Sequence, residues 1–192
     1  MSDEKTVSQD LSAMREEYAW AGLREEAMHA DPVAQFDDWF QAAVKAELPL
    51  PNAMVLATAN QHGWPSARYV LLKEYGREGF VFYSHTDSRK GEELQDNPRA
   101  ALVLYWHPMH RQVRIEGTVQ MLSTAKADTY FQSRPRGSQL AAGVAVQSSA
   151  VPHRDFLQQH MDELEKQFTG EPVPRPGNWL GFRVIPVSME FW

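Results

Sequence analysis

The sequence contains no cysteine. That excludes disulfides, thiolate metal sites and a cysteine nucleophile, and it fits a reducing compartment. Nor does any apolar run approach the roughly 18 residues that a membrane-spanning helix needs. The opening stretch, MSDEKTVSQD, is polar and lacks the hydrophobic segment of a secretory signal. A cytoplasmic protein is expected. Positive charge is also in short supply: 19 Lys and Arg face 25 Asp and Glu, for a net charge of −6. General nucleic-acid binding, which depends on neutralising many phosphates, is disfavoured. There is no P-loop, no G-x-G-x-x-G, no H-E-x-x-H and no G-x-S-x-G elbow. His62, His85, His107, His110, His153 and His160 form no metal-ligating spacing, so no metal is expected. Internal repeats and low-complexity tracts are missing too.

What is present is an ordinary globular composition, 43% hydrophobic and 11% aromatic, in 192 residues. That length suits one domain with a sizeable core. The charge is uneven. Residues 64–136 hold 11 Lys and Arg against 8 Asp and Glu, whereas the remainder holds 8 against 17. A locally basic middle in an acidic protein suits a small anionic ligand, although charge fluctuates along any chain.

Periodicity lays out the elements. Residues 1–12 read as a disordered tail, and 13–192 as the single domain. Weak helical character over 13–29 reads as a solvated terminal helix. Asp31-Pro32 is a strong helix start, and Val33, Phe36, Trp39, Phe40, Ala43 and Val44 follow at helical spacing, a stripe that reads as core. Strands are expected over 54–59, 64–75, 80–84, 99–106, 111–122 and 179–192, separated by turn residues. Helices are expected from Ser88 to about Gln95, from Ser123 or Thr124 to Ser133, and over 153–168, with Leu157, Met161, Leu164 and Phe168 on the inner face of the last. Consecutive hairpin-connected strands indicate an antiparallel sheet or barrel with flanking helices, an α+β chain that is mainly β.

The centre of the chain is 64–90, two strands and a tight turn running into a helix start. It carries Arg68, Lys73, Arg89 and Lys90, and a helix N-terminus is a ready anion site. In a regular strand Arg68 and Lys73 point to opposite faces. They then serve two different anions, or a bulge brings them together. Gln112, Tyr130, Arg134, Ser138, Gln147 and Ser148 extend the set of cationic and polar candidates. Arginine forks match phosphate geometry, and two phosphate sites would account for so many cations in an acidic protein.

Six stretches together resemble the pyridoxine (pyridoxamine) 5′-phosphate oxidase family: RYVLLK (68–73), FYSHTDSRK (82–90), RQVRIEG (111–117), YFQSRPRGSQ (130–139), QSS (147–149) and GFRVIPVSMEFW (181–192). The resemblance runs from about Met14 to the end of the sequence. It implies an antiparallel split β-barrel and a homodimer with FMN between the subunits. It also implies oxidation of pyridoxine or pyridoxamine 5′-phosphate to pyridoxal 5′-phosphate, with oxygen as acceptor and hydrogen peroxide released. By position, FMN would be held by Arg68, Tyr69, Val70, Leu71, Leu72, Lys73, Tyr83, Ser84, Arg89, Lys90, Gln112, Gln147, Ser148 and Trp192. The substrate would meet Lys73, Tyr130, Arg134 and Ser138, with Arg15 and Tyr18 in a segment that covers it. The REEY of that segment departs from the family's more basic pattern. Family chains also continue past the EFW motif into a basic R-L-H-D-R segment that contacts the substrate ring and FMN; here the sequence stops at Trp192, so either the chain was shortened or part of the substrate site has been lost. Two alternatives stay open: a non-catalytic split-barrel protein that binds FMN or pyridoxal phosphate, and a flavin oxidase acting on another substrate such as a phenazine precursor.

Overall fold

The computed structural model describes residues 22–144 and 147–192. The expected tail over 1–12, together with Arg15 and Tyr18, lies outside them. Of the helical stretch expected over 13–29, the described part forms one 3-10 turn, Glu25–Ala27. Helix α1 (Pro32–Lys45) starts where its cap dictates: the Asp31 carboxylate accepts from the Val33 amide at 2.9 Å, with Pro32 in the first turn. Its apolar stripe buries Phe36, Trp39 and Ala43. Phe36 meets Phe80 edge-on at 4.9 Å and Tyr75 at 5.0 Å, so the helix seals one side of the main core.

Seven strands form one antiparallel sheet: β1 (Ala53–Ala59), β2 (Pro65–Leu71), β3 (Glu74–Gly76), β4 (Gly79–His85), β5 (Arg99–Trp106), β6 (Arg111–Met121) and β7 (Trp179–Phe191). Their order is β2-β1-β5-β6-β7-β4-β3. The two edge strands, β2 and β3, are consecutive in the chain. The Leu72 amide still donates to the Asn52 carbonyl at 2.9 Å, beside β1, while the next amide, Lys73, donates to the Val81 carbonyl of β4 at 2.8 Å. The single strand expected over 64–75 is therefore two strands. The chain leaves one edge of the sheet and joins the other, curling the sheet into a split barrel. Met54, Leu56, Phe80, Phe82, Leu102, Leu104, Val113, Ile115, Phe182 and Val184 fill the inside. At the bulge between Glu116 and Gly117, a Cβ on Gly117 would lie 2.1 Å from the Ile185 carbonyl oxygen, so only glycine lets β6 and β7 close there.

Helices α2 (Arg89–Asp96), α3 (Thr124–Ser133), α4 (Arg136–Ala141) and α5 (Arg154–Gln167) flank the sheet. A second apolar cluster, Phe131, Leu140, Ala142, Val173 and Trp179, joins α3 and α4 to the start of β7. Met161, Leu164 and Phe168 pack on it as the periodicity predicts, but Leu157 is 37% exposed and sits off that face. Helix α4 was not expected: Pro135-Arg136-Gly137-Ser138 has turn composition, yet the Pro135 carbonyl accepts from the Ser138 and Gln139 amides and starts a helical turn. Among the described residues no helix is long and apolar enough to cross a membrane.

Candidate active site

Strand β4 ends at Tyr83-Ser84-His85 and turns directly into α2. Ser88 caps the helix, accepting from the Gly91 amide at 3.3 Å and donating to the His85 carbonyl at 2.7 Å. Gly91 permits this tight turn, since a Cβ there would lie 2.4 Å from the Thr86 carbonyl oxygen. The turn buries Lys90, which donates its ammonium to Ser84 Oγ at 3.1 Å, Ser88 Oγ at 3.3 Å and Gln147 Oε1 at 2.7 Å. Burial, and then the positive charge of Arg68, push its pKa down to about 8; Glu93 opposes both.

Behind Lys90 lies a charged network that spans two strands and the helix. Arg68, on β2, donates to the Leu56 carbonyl at 3.1 Å, to Thr58 Oγ1 at 2.6 Å, to Ser66 Oγ and to Glu93 Oε2 at 3.2 Å. Thr58 and Ser66 pass their own hydroxyl protons to the same Glu93 oxygen. The other Glu93 oxygen accepts from Arg89 Nε at 2.9 Å, one helical turn back. Burial disfavours the Glu93 charge, but the donors Ser66, Thr58, Arg89 and Arg68 outweigh it and hold the carboxyl at about 2.

On the far wall the rings of Tyr83, Tyr130 and Trp179 stack, with centroids 4.1 Å apart for the first pair and 5.1 Å for Tyr83 with Trp179. The Arg134 guanidinium lies 4.7 Å over Trp179, and its buried NH1 has no hydrogen-bond partner among the described residues. Burial lowers its pKa, against the attraction of Tyr130. Lys73 approaches the Tyr130 ring to 6.0 Å. Both walls face a single cavity of about 800 Å³, the size of a cofactor site. Among the described residues five cations line it, Arg68, Lys73, Arg89, Lys90 and Arg134, and no carboxylate does. A site so lined selects an anion, and an extended one, since the cations occupy both ends.

The family model described as pyridoxamine 5′-phosphate oxidase matches residues 40–168. The chain belongs to the pyridoxamine 5′-phosphate oxidase family. A relative from Rubrobacter xylanophilus, named pyridoxine/pyridoxamine 5′-phosphate oxidase, is 50% identical over 183 residues, covering 95% of this chain and 84% of that protein. Among solved structures, PhzG from Burkholderia lata, in complex with tetrahydrophenazine-1-carboxylic acid, superposes with a TM-score of 0.83 at 30% identity, over 87% of this chain and 82% of that one. A pyridoxamine 5′-phosphate oxidase-related, FMN-binding protein from Nostoc punctiforme shares the fold, with a TM-score of 0.68 at 16% identity over 85% of this chain and 86% of that one.

Most of the positions picked out by the family's motifs converge on the cavity: Arg68 to Leu71, Lys73, Tyr83, Ser84, Arg89, Lys90, Tyr130, Arg134, Ser138, Gln147 and Ser148 all line it. Arg68 and Lys73, expected on opposite faces of one strand, share it because the strand breaks between them. Three positions lie elsewhere. Leu72 turns into the core and is 4% exposed. Gln112 and Trp192 pair through their backbones, at 2.7 and 2.9 Å, at the joined ends of β6 and β7. That is three strands from β2 in the sheet order, roughly 14 Å at the usual strand spacing. Conversely, Thr58, Ser66, Glu93 and Trp179 build the site and were not anticipated. The Arg89–Glu93 spacing of i,i+4 and the shared face of Ser66 and Arg68 are the signals that could have found two of them, Glu93 and Ser66.

Proposed function

We propose that this oxidase-family chain holds FMN in the five-cation cavity. There it oxidises pyridoxine or pyridoxamine 5′-phosphate to pyridoxal 5′-phosphate in vitamin B6 metabolism, in the cytoplasm. The observation that carries this is the convergence of two separate anion-facing groups on one cavity. The residues present fit a flavin phosphate: the Lys90 ammonium and the first turn of α2 supply positive potential at one end, and Arg89 lends the terminal nitrogens that Glu93 leaves unused. The orphaned Arg134 NH1 fits a second phosphate at the other end, with Tyr130 and Ser138 beside it.

FMN, when bound, supplies the two-electron redox chemistry. In the net reaction the 4′-alcohol of pyridoxine 5′-phosphate loses two electrons and two protons and becomes the aldehyde, while oxygen takes both and becomes hydrogen peroxide. From pyridoxamine 5′-phosphate, water additionally supplies the aldehyde oxygen and ammonia leaves. The chain's own part is positional. Arg134, Tyr130, Ser138 and Lys73 grip the substrate phosphate, remote from the reacting carbon, and that binding energy orients the ring. The Tyr83–Tyr130–Trp179 stack walls the cavity against water.

The site is completed by a second copy of the chain. The outer face of β2, β1 and β5 carries Tyr69 (78% exposed), Tyr105 (52%) and Leu71 (38%), with Val55, Ala57, Ala101 and Val103 between them. A sheet face this apolar calls for a partner. Tyr69 and Leu71 belong both to it and to the cavity wall. Gln112 stands opposite Tyr105 on the same face, so face-to-face pairing of two copies brings the Gln112–Trp192 end of one toward the cavity of the other.

The deciding experiment is an anaerobic visible spectrum of the FMN-loaded protein before and after pyridoxine 5′-phosphate. Bleaching of the bound flavin, followed by one peroxide per aldehyde on admitting oxygen, is expected. A bound flavin that stays oxidised with this substrate but bleaches with a reduced tricyclic carboxylate would move the chain to phenazine-type chemistry instead.

A further inference from the structure

Among the described residues Glu93 is the one acid built into the cationic cluster, yet it does not line the cavity; it sits behind it, 5% exposed. Its two oxygens collect four side-chain donors. Arg68 reaches Oε2 both directly and through Thr58 and Ser66, whose hydroxyls accept from the guanidinium and donate to the carboxylate. Arg89 reaches Oε1 through Nε alone. This leaves Arg89 presenting its two terminal nitrogens, the fork that matches a phosphate. Without a counter-charge, Arg68, Arg89 and Lys90 would repel one another at the start of α2, as the effect of Arg68 on Lys90 already shows.

We propose that Glu93 is a positioning residue for the anion-facing end of the cavity: it fixes the guanidiniums of Arg68 and Arg89 in one arrangement, and so sets the affinity for the phosphate of the bound flavin but not for its ring. This rests on the flavin reading above. The charge and both oxygens are needed. A glutamine offers one acceptor oxygen and one NH2 group. Turned one way, the NH2 meets Arg89 Nε–H; turned the other, it meets Thr58, Ser66 and Arg68. The first orientation sets donor against donor at Arg89 and frees it; the second does so at Arg68, which keeps its bonds to Leu56, Thr58 and Ser66 but loses its fixed countercharge.

The test compares FMN with riboflavin, which lacks only the phosphate, by quenching of flavin fluorescence on the full chain. For the unaltered protein FMN should bind far more tightly than riboflavin. In Glu93→Gln the FMN dissociation constant should rise about 10- to 100-fold with riboflavin affinity unchanged, so that the preference collapses. Thr58→Val is the milder companion, in case loss of the buried acid prevents folding. Thr58 does not line the cavity, so any loss of phosphate preference passes through the network; a few-fold loss is expected. Equal weakening of FMN and riboflavin in either variant, or an unchanged preference in both, would overturn the proposal. If the unaltered protein binds neither flavin, the failure belongs to the cofactor reading and not to the role of Glu93.

Discussion

Around the first turn of α2, Arg68 and Arg89 share the buried Glu93 carboxylate and Lys90 gives all three of its protons to protein oxygens. Across the same cavity Arg134 rests on an aromatic wall; among the described residues its NH1 has no partner and no acid lines the cavity. The first arrangement is paid for in the fold: the cations are ordered before any ligand arrives, so a ligand there loses little on binding and stays. The second is satisfied only when an anion comes, which suits a molecule that enters and leaves on every turnover. The two ends thus differ in where the countercharge sits, in the protein at one and in the ligand at the other.

The sharpest break in this contrast is Arg134→Ala. Loss of a charged, desolvated hydrogen-bond partner should cost about 2–4 kcal/mol, raising KM for pyridoxine 5′-phosphate roughly 30- to 1000-fold. The FMN dissociation constant should stay within about twofold. Steady-state kinetics beside a flavin titration checks both, and equal losses would mean that the two ends are one site.

Next comes the partner copy. Val103→Asp puts a charge in the middle of the outer sheet face, about 10 Å from the β2 edge at the usual strand spacing. Sedimentation should show a shift from dimer to monomer, with FMN binding weakened about tenfold or more, because burying an unpaired charge costs several kcal/mol. A monomer with unaltered FMN affinity would show that the α2 end holds the flavin without a second chain.

How much of this was legible in the sequence depends on how local each feature is. Asp31-Pro32 and Ser88 are caps, written within four residues, and both helices start where they indicate. The strand alternation is equally local. The crossing at Leu72-Lys73 is not: YVLLKEY continues its pattern through the break, and only the tertiary pairing with Asn52 and Val81 divides it. Glu93 sits in RKGEELQD, a helix that reads as solvated, and its burial comes from β1 and β2 folding over it. The family's motifs located the cavity lining, but they are silent about the acid behind it. Leu157 fits the α5 stripe in sequence, yet it stays 37% exposed, because the stripe marks a helix face and not how far along it the core extends.

Titration separates the ends more gently. Lys90 has its pKa near 8, so an anion at the α2 end should bind with constant affinity below that pH and progressively less tightly above it, by at most about tenfold per pH unit. The stability of the flavin-free protein should move the other way. Because the folded pKa lies below the ordinary 10.5, the unfolded chain holds more protons between about 8 and 10.5, and the contribution of Lys90 to stability rises with pH across that window. Lys90→Met should lower FMN affinity at neutral pH and flatten both dependences. A substrate KM that follows the same curve as FMN binding would contradict the separation.

Lys73 offers the smallest and most discriminating test. It stands where the chain crosses from one sheet edge to the other, 6.0 Å from the Tyr130 ring, and it lines the cavity between the two ends. The family's pattern assigns it to flavin and substrate alike. It is exposed, so water screens its charge and each loss should be modest. Lys73→Met keeps the stem and removes the ammonium. If one cation serves both anions, FMN dissociation and substrate KM should each rise about fivefold, roughly 1 kcal/mol apiece. A change confined to KM would give Lys73 to the Arg134 end alone. The α2 end would then be a closed set of Arg68, Arg89 and Lys90 around Glu93, and the division between the two halves of the cavity would run exactly at the break between β2 and β3.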